Sequence, residues 1–554
     1  MAANENETRV LGIEGTAWAA SAAVYDQATG AVEMETEAYQ PDSGGLHPRE
    51  AAEHMGEHVP AVVERALDHA RELAAADAAS GADGPPVDCV AFSRGPGLGP
   101  CLRIVATAAR AVAQRLNVPL VGVNHMIAHL AVGRHRSGFA SPVCLNASGA
   151  NAHVLAYRND RYQVLGETMD TGVGNAIDKF TRHLDWSHPG GPKVEAAATD
   201  GQYHELPYVV KGMDFSFSGV MSAAKDAVDD GVPVADVCHG LQESVFAMLT
   251  EVSERALSLT GSDELVLGGG VGQNARLRKM LGEMCEQRGA EFFAPEPRFL
   301  RDNAGMIAVL GAKMYAADDT LDIAASGIDA DFRPDQVMVD WRGRASNTTA
   351  GERASDGAPR TDKLQGAEAT VEVDGDRVIK HRRPRSYRHP ELDERLRVER
   401  TREEARLTAE ARRHGVPTPV VLDVDPWNTR LVLESVGDAD LRERLTVPNV
   451  RDVGRHLATI HETGFVHGDP TTRNVRVSFE GNDSRTYLID FGLGYYTDDR
   501  EDYAMDLHVL AQSLVGTADD PEPLLTAAEA AYESVGDERV LDHLREIEGR
   551  GRYQ

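Results

Sequence analysis

RVLGIEGTAWAASAAVYD, residues 9–26, is the stretch whose reading decides the fold. Two short apolar-rich runs, Val10–Glu14 and Ala19–Tyr25, lie around a turn, as in a strand–turn–strand unit. PVCLNASGANAHVLAYR, residues 142–158, repeats the plan: Val143–Asn146, then Ser148-Gly149-Ala150, then His153–Tyr157. Each unit opens a segment in which strand-like runs alternate with amphipathic helices, and the alternation continues to about residue 325. Arg103–Leu116 is one such helix, with Ile104, Ala108, Val112 and Leu116 recurring at helical spacing. A duplicated α/β architecture follows as the expectation, with halves at about 1–140 and 141–335.

The chain has 554 residues, long enough for two to four domains, and its 42% hydrophobic content can fill real cores. It carries 57 basic against 88 acidic residues, a net charge of −31. A field of that sign ordinarily argues against a nucleic-acid partner. Only eight of the basic residues are Lys, however, the rest being Arg. An acidic, Lys-poor, Ala-rich chain has the composition of proteins that work in molar salt, although an ordinary acidic protein of high-GC coding shares it. In molar salt the Debye length shrinks to roughly 3 Å, so surface charge acts as a solvation layer and leaves RNA binding open. The five cysteines, Cys89, Cys101, Cys144, Cys238 and Cys285, form no C-x-x-C pair and are odd in number. That argues against a cysteine zinc site and a disulfide framework as organising devices. MAANENETRV has no apolar signal core and no run approaches 18 apolar residues, so the chain reads as cytoplasmic, with no membrane partner.

Composition shifts near residue 340. RGRASNTTAGERASDGAPRTD, residues 342–362, is almost free of large apolar side chains, and a linker is expected over 336–362. A second domain, 363–554, opens with strands at Thr370–Val373 and Arg377–His381 and turns helical at Glu394–His414.

In the first region, His125 and His129 stand four apart in NHMIAH, a spacing that puts two imidazoles on one face of a helical turn, close enough for one metal ion. Such a pair serves core packing equally well. Met126, Ile127 and Ala128 between them supply no glutamate base, which disfavours a zinc peptidase. SRGPGLGP (Ser93–Pro100) and LVLGGGVGQN (Leu265–Asn274) are Gly-rich turns after apolar runs, of the kind that brings backbone N–H groups up to phosphates at helix starts. TGVGNAIDK brings Asp178 and Lys179; HPGGPKVE brings Gly191, Lys193 and Glu195; DFSFSG and RDNAG, with Asp302, complete a series of polar segments. Singly, each could be a turn or a cap.

In the second region, HGDPTTRN sets Asp469 and Asn474 five apart, and LIDFG sets Asp490 after an apolar run, the spacing and order of a kinase catalytic loop and a magnesium ligand. Lys380 ends a strand and Glu404 lies on the next helix, where the two can pair. Lys380 is one of two lysines beyond residue 350, and a compact ammonium suits a phosphate site that Arg's planar fork would not. The loop Gly366-Ala367-Glu368-Ala369 is all that stands for a Gly-rich loop, and no A-P-E follows Asp490-Phe491-Gly492.

HPREAAEH, GPGLGP, NHMIAH, TGVGNAIDK, HPGGPKVE, DFSFSG, GGGVGQN and RDNAGMIA, in this order over about residues 8–325, resemble the signature series of the tRNA threonylcarbamoyladenosine transferase family. The resemblance implies the duplicated α/β fold of the actin, sugar-kinase and heat-shock-chaperone superfamily. It also implies transfer of threonylcarbamoyl from its adenylate, threonylcarbamoyl-AMP, to adenosine 37 of tRNAs reading codons that begin with A. His125, His129 and Asp302 match the family's metal ligands, usually for iron, and Asp178, Gly191, Glu195 and Asn274 match its nucleotide-binding positions. Asn146-Ala147-Ser148-Gly149-Ala150 stands where the family reads Tyr-Val-Ser-Gly-Gly. Asn146 therefore replaces a phenolate ligand with a neutral amide, which suits a hard cation better than iron. Ala150 adds a Cβ where backbone would approach the substrate. GAEA, YRHPELDERLRVERTREEARL and HGDPTTRN, within about 363–550, resemble the small atypical Ser/Thr kinase of the KEOPS tRNA-modification complex, with Pro470 and Arg473 in place of its usual Leu and Ser. That implies ATP with magnesium on Asn474 and Asp490, Asp469 as the residue orienting the acceptor hydroxyl or water, and the other small KEOPS subunits as partners. An ATP-binding regulatory or chaperone-like scaffold without transfer activity is the alternative.

Overall fold

The computed structural model describes residues 8–39, 47–78, 84–158, 160–342, 363–365, 369–480 and 483–550. Its first sheet takes the order β3-β2-β1-β4-β5, with β1 at Arg9–Glu14, β2 at Ala19–Asp26, β3 at Ala31–Ala38, β4 at Cys89–Gly95 and β5 at Leu120–Asn124. The two hairpin partners are antiparallel and the β1/β4 and β4/β5 pairs parallel. The second sheet contains β6 (Val143–Ala147), β7 (Ala152–Arg158) and β8 (Arg161–Glu167). After a small hairpin of β9 (Val210–Lys211) and β10 (Asp214–Phe215) come β11 (Glu264–Gly268) and β12 (Glu291–Phe293). Its order is β12-β11-β6-β7-β8, with the same senses strand for strand. The two strand–turn–strand units thus open two copies of one topology, the duplicated α/β fold of the actin and sugar-kinase type.

Helices α1 (Pro48–Ala78) and α2 (Gly99–Leu116) cover one face of the first sheet. Helix α2 begins four residues before the expected Arg103, because Pro100 fits the first turn of a helix, where its missing N–H has no partner to lose. The other face packs on α3 (His125–Ser137) and on α10 (Ala304–Ala316), in a core shared with Cys144, Leu155 and Val266 of the second sheet. Helix α10 crosses β1 so closely that a Cβ at Gly12 would lie 2.4 Å from the Ala304 carbonyl oxygen. In the second half, α4 (Val173–His183), α5 (Gly191–Ala198), α6 (Ser218–Asp229), α7 (Val234–Thr260) and α8 (Ala275–Arg288) enclose the largest apolar cluster, and a short α9 (Pro297–Leu300) precedes α10. Val337, Val339 and Trp341 pack against the shared core, and the Arg342 guanidinium lies 4.0 Å from the Tyr157 ring centre, so residues 336–342 continue the first domain's surface.

In the C-terminal region a sheet of order β13-β14-β15-β17-β16 runs antiparallel throughout. Its strands are β13 (Lys363–Gln365), β14 (Ala369–Asp374), β15 (Arg377–Arg382), β16 (Val421–Asp425) and β17 (Arg430–Glu434). Helix α11 (Pro390–Arg413) packs beside it; it starts ahead of the expected Glu394 because Pro390 and the acidic Glu391 and Asp393 all favour a first turn. A second, mostly helical cluster contains α12 (Val447–Glu462) and α13 (Arg500–Thr517), with residues 493–499 bridging the D-F-G segment to α13.

The two regions meet along α7. Glu251 and Glu254, both buried, receive Arg388, Arg400, Arg385 and the Tyr387 hydroxyl from the other side. Beside them the turn between β9 and β10 reaches the C-terminal region: Lys211 pairs with Asp502, and the Gly212 N–H donates to the Gly468 carbonyl at 2.9 Å. Among the described residues no helix is long and apolar enough to cross a membrane.

Candidate transferase and kinase clefts

Asn124 ends β5 and caps α3: its Oδ1 accepts from the Met126 and Ile127 N–H groups at 3.0 and 3.1 Å, and its Nδ2 donates to the Phe332 carbonyl at 2.8 Å. This anchors the first turn, so His125 and His129 project one above the other, ring centres 5.0 Å apart. Asp302, just before α10, brings Oδ1 to 3.4 Å from His125 Nε2 and 3.6 Å from His129 Nε2. Ligand atoms of the three residues all lie within 4.8 Å of one another. Behind them Glu14, fully buried at the end of β1, accepts from His125 Nδ1 at 3.0 Å and from the Thr16 N–H at 2.8 Å. A carboxylate on Nδ1 fixes the tautomer and turns Nε2 toward Asp302.

Burial pushes the His125 imidazole down, yet Glu14 and Asp302 outweigh it and raise it to about 10. His129, with burial dominant, is lowered. Burial would raise the Asp302 carboxyl, but the charge and hydrogen bonds of the imidazoles hold it well below the carboxylate range. Both His129 nitrogens and Asn146 Oδ1 are buried without a hydrogen-bond partner. Two imidazoles, a carboxylate and an orphaned amide oxygen fit a first-row divalent cation.

Of the expected substrate residues, Asn146 stands next to this cluster: a Cβ at Gly268 would lie 3.4 Å from both its Oδ1 and His129 Cβ. Asn146 and Ala147 lie on β6 against the Gly268-Gly269 turn. Ser148-Gly149-Ala150 folds onto the start of α4, where Gly174 and Asn175 donate to the Ser148 and Gly149 carbonyls at 3.1 and 2.9 Å. A Cβ at Gly174 would sit 2.7 Å from Gly149 Cα, so only glycine admits this contact. Asp178 accepts from the Gly190 N–H at 2.7 Å, immediately before Gly191. Glu195 accepts from the Ala275 N–H at 2.8 Å, and Asn274 caps α8 and donates to Gln242 at 2.9 Å. Trp18, from the first half, stacks on His188, from the second, at 5.3 Å and 11°, over Gly149.

In the C-terminal region Lys380 Nζ lies 2.9 Å from Glu404 Oε1 and 2.6 Å from Asp490 Oδ1. Asn474 Nδ2 donates to both the carbonyl and Oδ2 of Asp469, at 2.8 and 2.9 Å. His467 Nε2 meets the Ile489 carbonyl at 3.0 Å and ties the catalytic-type loop to the strand end before Asp490. Asp506 accepts from the His467 and Gly468 N–H groups at 2.6 and 2.8 Å and holds the loop's backbone. Ala369 is buried in β14; Gly366, Ala367 and Glu368 lie outside the described residues.

Glu14, His153, Arg382 and Asp506 were not assigned roles from sequence. Glu14 had a signal, a lone acid closing an apolar strand. Arg382, buried on the far side of Glu404 at 2.7 Å, looks in sequence like any strand-end arginine.

A duplicated α/β cleft with a His–His–Asp cluster, joined to a minimal phosphotransferase lobe, defines a fused transferase and kinase-type chain. Residues 29–309 match the family described as tRNA N6-adenosine threonylcarbamoyltransferase, and residues 424–544 match the phosphotransferase enzyme family. The chain is similar to a probable bifunctional tRNA threonylcarbamoyladenosine biosynthesis protein of Haloarcula marismortui, 71% identical over 556 residues, 99% of this chain and 100% of the relative. Proteins of the same description from Halobacterium salinarum and Methanocorpusculum labreanum are 68% and 47% identical, each over 99% of both chains. The chain belongs to the tRNA N6-adenosine threonylcarbamoyltransferase family, in the bifunctional form that carries a phosphotransferase-type domain behind the transferase.

Proposed function

We propose that the chain transfers threonylcarbamoyl from threonylcarbamoyl-AMP to the amine of adenosine 37 in tRNAs reading codons that begin with A, and that its kinase half uses ATP to regulate that cycle with the other small KEOPS subunits. The observation that supports this reading best is the His125–His129–Asp302 cluster, with Asn146 and His129 flanking the same glycine, Gly268. A divalent cation held by these three residues, with Asn146 alongside, would act as a Lewis acid toward the carbamoyl carbonyl. Asp178, Glu195 and Asn274 offer polar atoms to the nucleotide, and the α5 and α8 N-termini favour its phosphate. The adenosine arrives unstacked from its loop, as single-stranded RNA readers require. Its nitrogen then attacks the carbamoyl carbon, the bond to the phosphate oxygen breaks, AMP leaves with the electron pair, and the amine proton is released. In the kinase half Lys380 would meet the ATP phosphates, Asp490 and Asn474 the magnesium, and Asp469 the attacking hydroxyl or water.

The test is transfer of labelled threonylcarbamoyl to tRNA by the full chain with its partner subunits in molar salt. Label on tRNA that vanishes in the His125→Ala/His129→Ala variant is expected. Full activity in that variant would remove the metal role. No transfer by the wild type, where a tyrosine-containing relative works, would favour the scaffold reading through Asn146.

A further inference from the structure

The β6/β7 register sets Asn146 directly across from His153, so their side chains share one face of the sheet, and both are buried. Asn146 Nδ2 lies 3.4 Å from His153 Nε2. An amide nitrogen can only donate, so Nε2 must be the accepting ring nitrogen. With Nδ2 engaged there, Oδ1 points the other way. A Cβ built at Gly268 would stand 3.4 Å from Oδ1 and equally 3.4 Å from His129 Cβ, so Oδ1 and His129 flank the same glycine. Oδ1 and both His129 nitrogens find no hydrogen-bond partner. The amide oxygen and the one lone-pair nitrogen that a neutral His129 ring carries are what a shared cation would satisfy, and an amide turned by 180° would offer that cation a hydrogen instead.

Resting on the proposed metal site, we propose that His153 is a positioning residue: it accepts from Asn146 Nδ2 and so turns the amide oxygen toward the His125–His129–Asp302 site. An apolar side chain at 153 frees the amide to turn and weakens the site without removing a ligand.

The test titrates cobalt(II) into the metal-free full chain in molar salt, reading affinity by calorimetry and ligand geometry by d–d absorption. If the wild type binds no cobalt, the metal site itself fails, which is a separate result. Given wild-type binding, His153→Phe is expected to lose about tenfold in affinity, the lower end for an outer-sphere partner, with an altered spectrum. His153→Gln, which keeps an accepting oxygen, restores both. In an Asn146→Ala background His153→Phe should change nothing further, since its effect passes through Asn146. Unchanged affinity and spectrum in His153→Phe, or an equal loss in both backgrounds, overturns the proposal. His153→Met, flexible enough to fill the same space, carries the same predictions should the phenylalanine variant not fold.

Discussion

His125 is held from both ends, by Glu14 on Nδ1 and by Asp302 near Nε2. Glu14→Gln keeps the shape but not the charge, and its amide can present a hydrogen to the ring. Divalent-metal affinity measured by calorimetry should fall about tenfold or more, as loss of a carboxylate behind a histidine ligand does elsewhere; unchanged affinity would show Glu14 to be packing alone. Asp214 gives a pH test. Its burial, reinforced by the Glu167 charge, pushes the carboxyl from 3.8 up to about 8. The folded chain therefore keeps a proton that the unfolded chain releases, and the stability this contributes is full below about 4 and gone above about 8. Asp214→Asn still accepts the Glu167 N–H and does not titrate. Relative to wild type, the variant should gain stability in urea unfolding between pH 5 and pH 8, and a constant difference would refute the assignment. At this scale the four-residue step from His125 to His129 and the five-residue step from Asp469 to Asn474 are themselves local geometry, whereas Asp302 was named only through the family resemblance and meets the histidines across a long stretch of chain. Glu14 carried only the signal of a lone acid closing an apolar strand, with no hint of its partner, and His153 carried none. Glu14 meets His125 across 111 residues, and His153 faces Asn146 only once a strand register is fixed.

Helix α3 shows how one cap can set a site. Asn124 supplies two acceptor contacts to the first turn and a donor to Phe332. Asn124→Ala should cost about 0.5–2 kcal/mol of stability, the range for a lost N-cap, and weaken metal binding with it, because His125 is the next residue. Urea unfolding and cobalt titration on the same sample would check both, and a stability loss with unaltered cobalt affinity would separate the cap from the site. The strands and helices themselves were largely readable from periodicity. The starts of α2 and α11 ran ahead of the apolar pattern, since proline and acidic residues open a helix before its buried face begins.

Over the whole molecule, the duplication was written in the sequence twice and could be compared with itself. The contact between the two regions could not, because Glu251 and Glu254 lie on a helix that reads as ordinary core, and their partners come from 131 to 149 residues further on. Glu251→Ala removes the carboxylate shared by Arg255, Arg388 and Arg400. Breaking a buried ion pair by deleting one partner costs about 3–5 kcal/mol, so the single cooperative transition expected of wild type in denaturant should split into two. A single transition at unchanged midpoint would mean that the contact contributes little. The same interface bears on how the halves find one another. Arg385, Arg388 and Arg400 lie on the kinase side and Glu251 and Glu254 on the transferase side, in a chain of net charge −31. Made as separate chains, the two would rely on a charge-guided diffusional encounter whose rate falls steeply as salt rises. Carried on one chain, the encounter becomes intramolecular and its frequency no longer depends on dilution. Fusion thus keeps the two halves at one fixed, high effective concentration whatever the concentration of the chain itself.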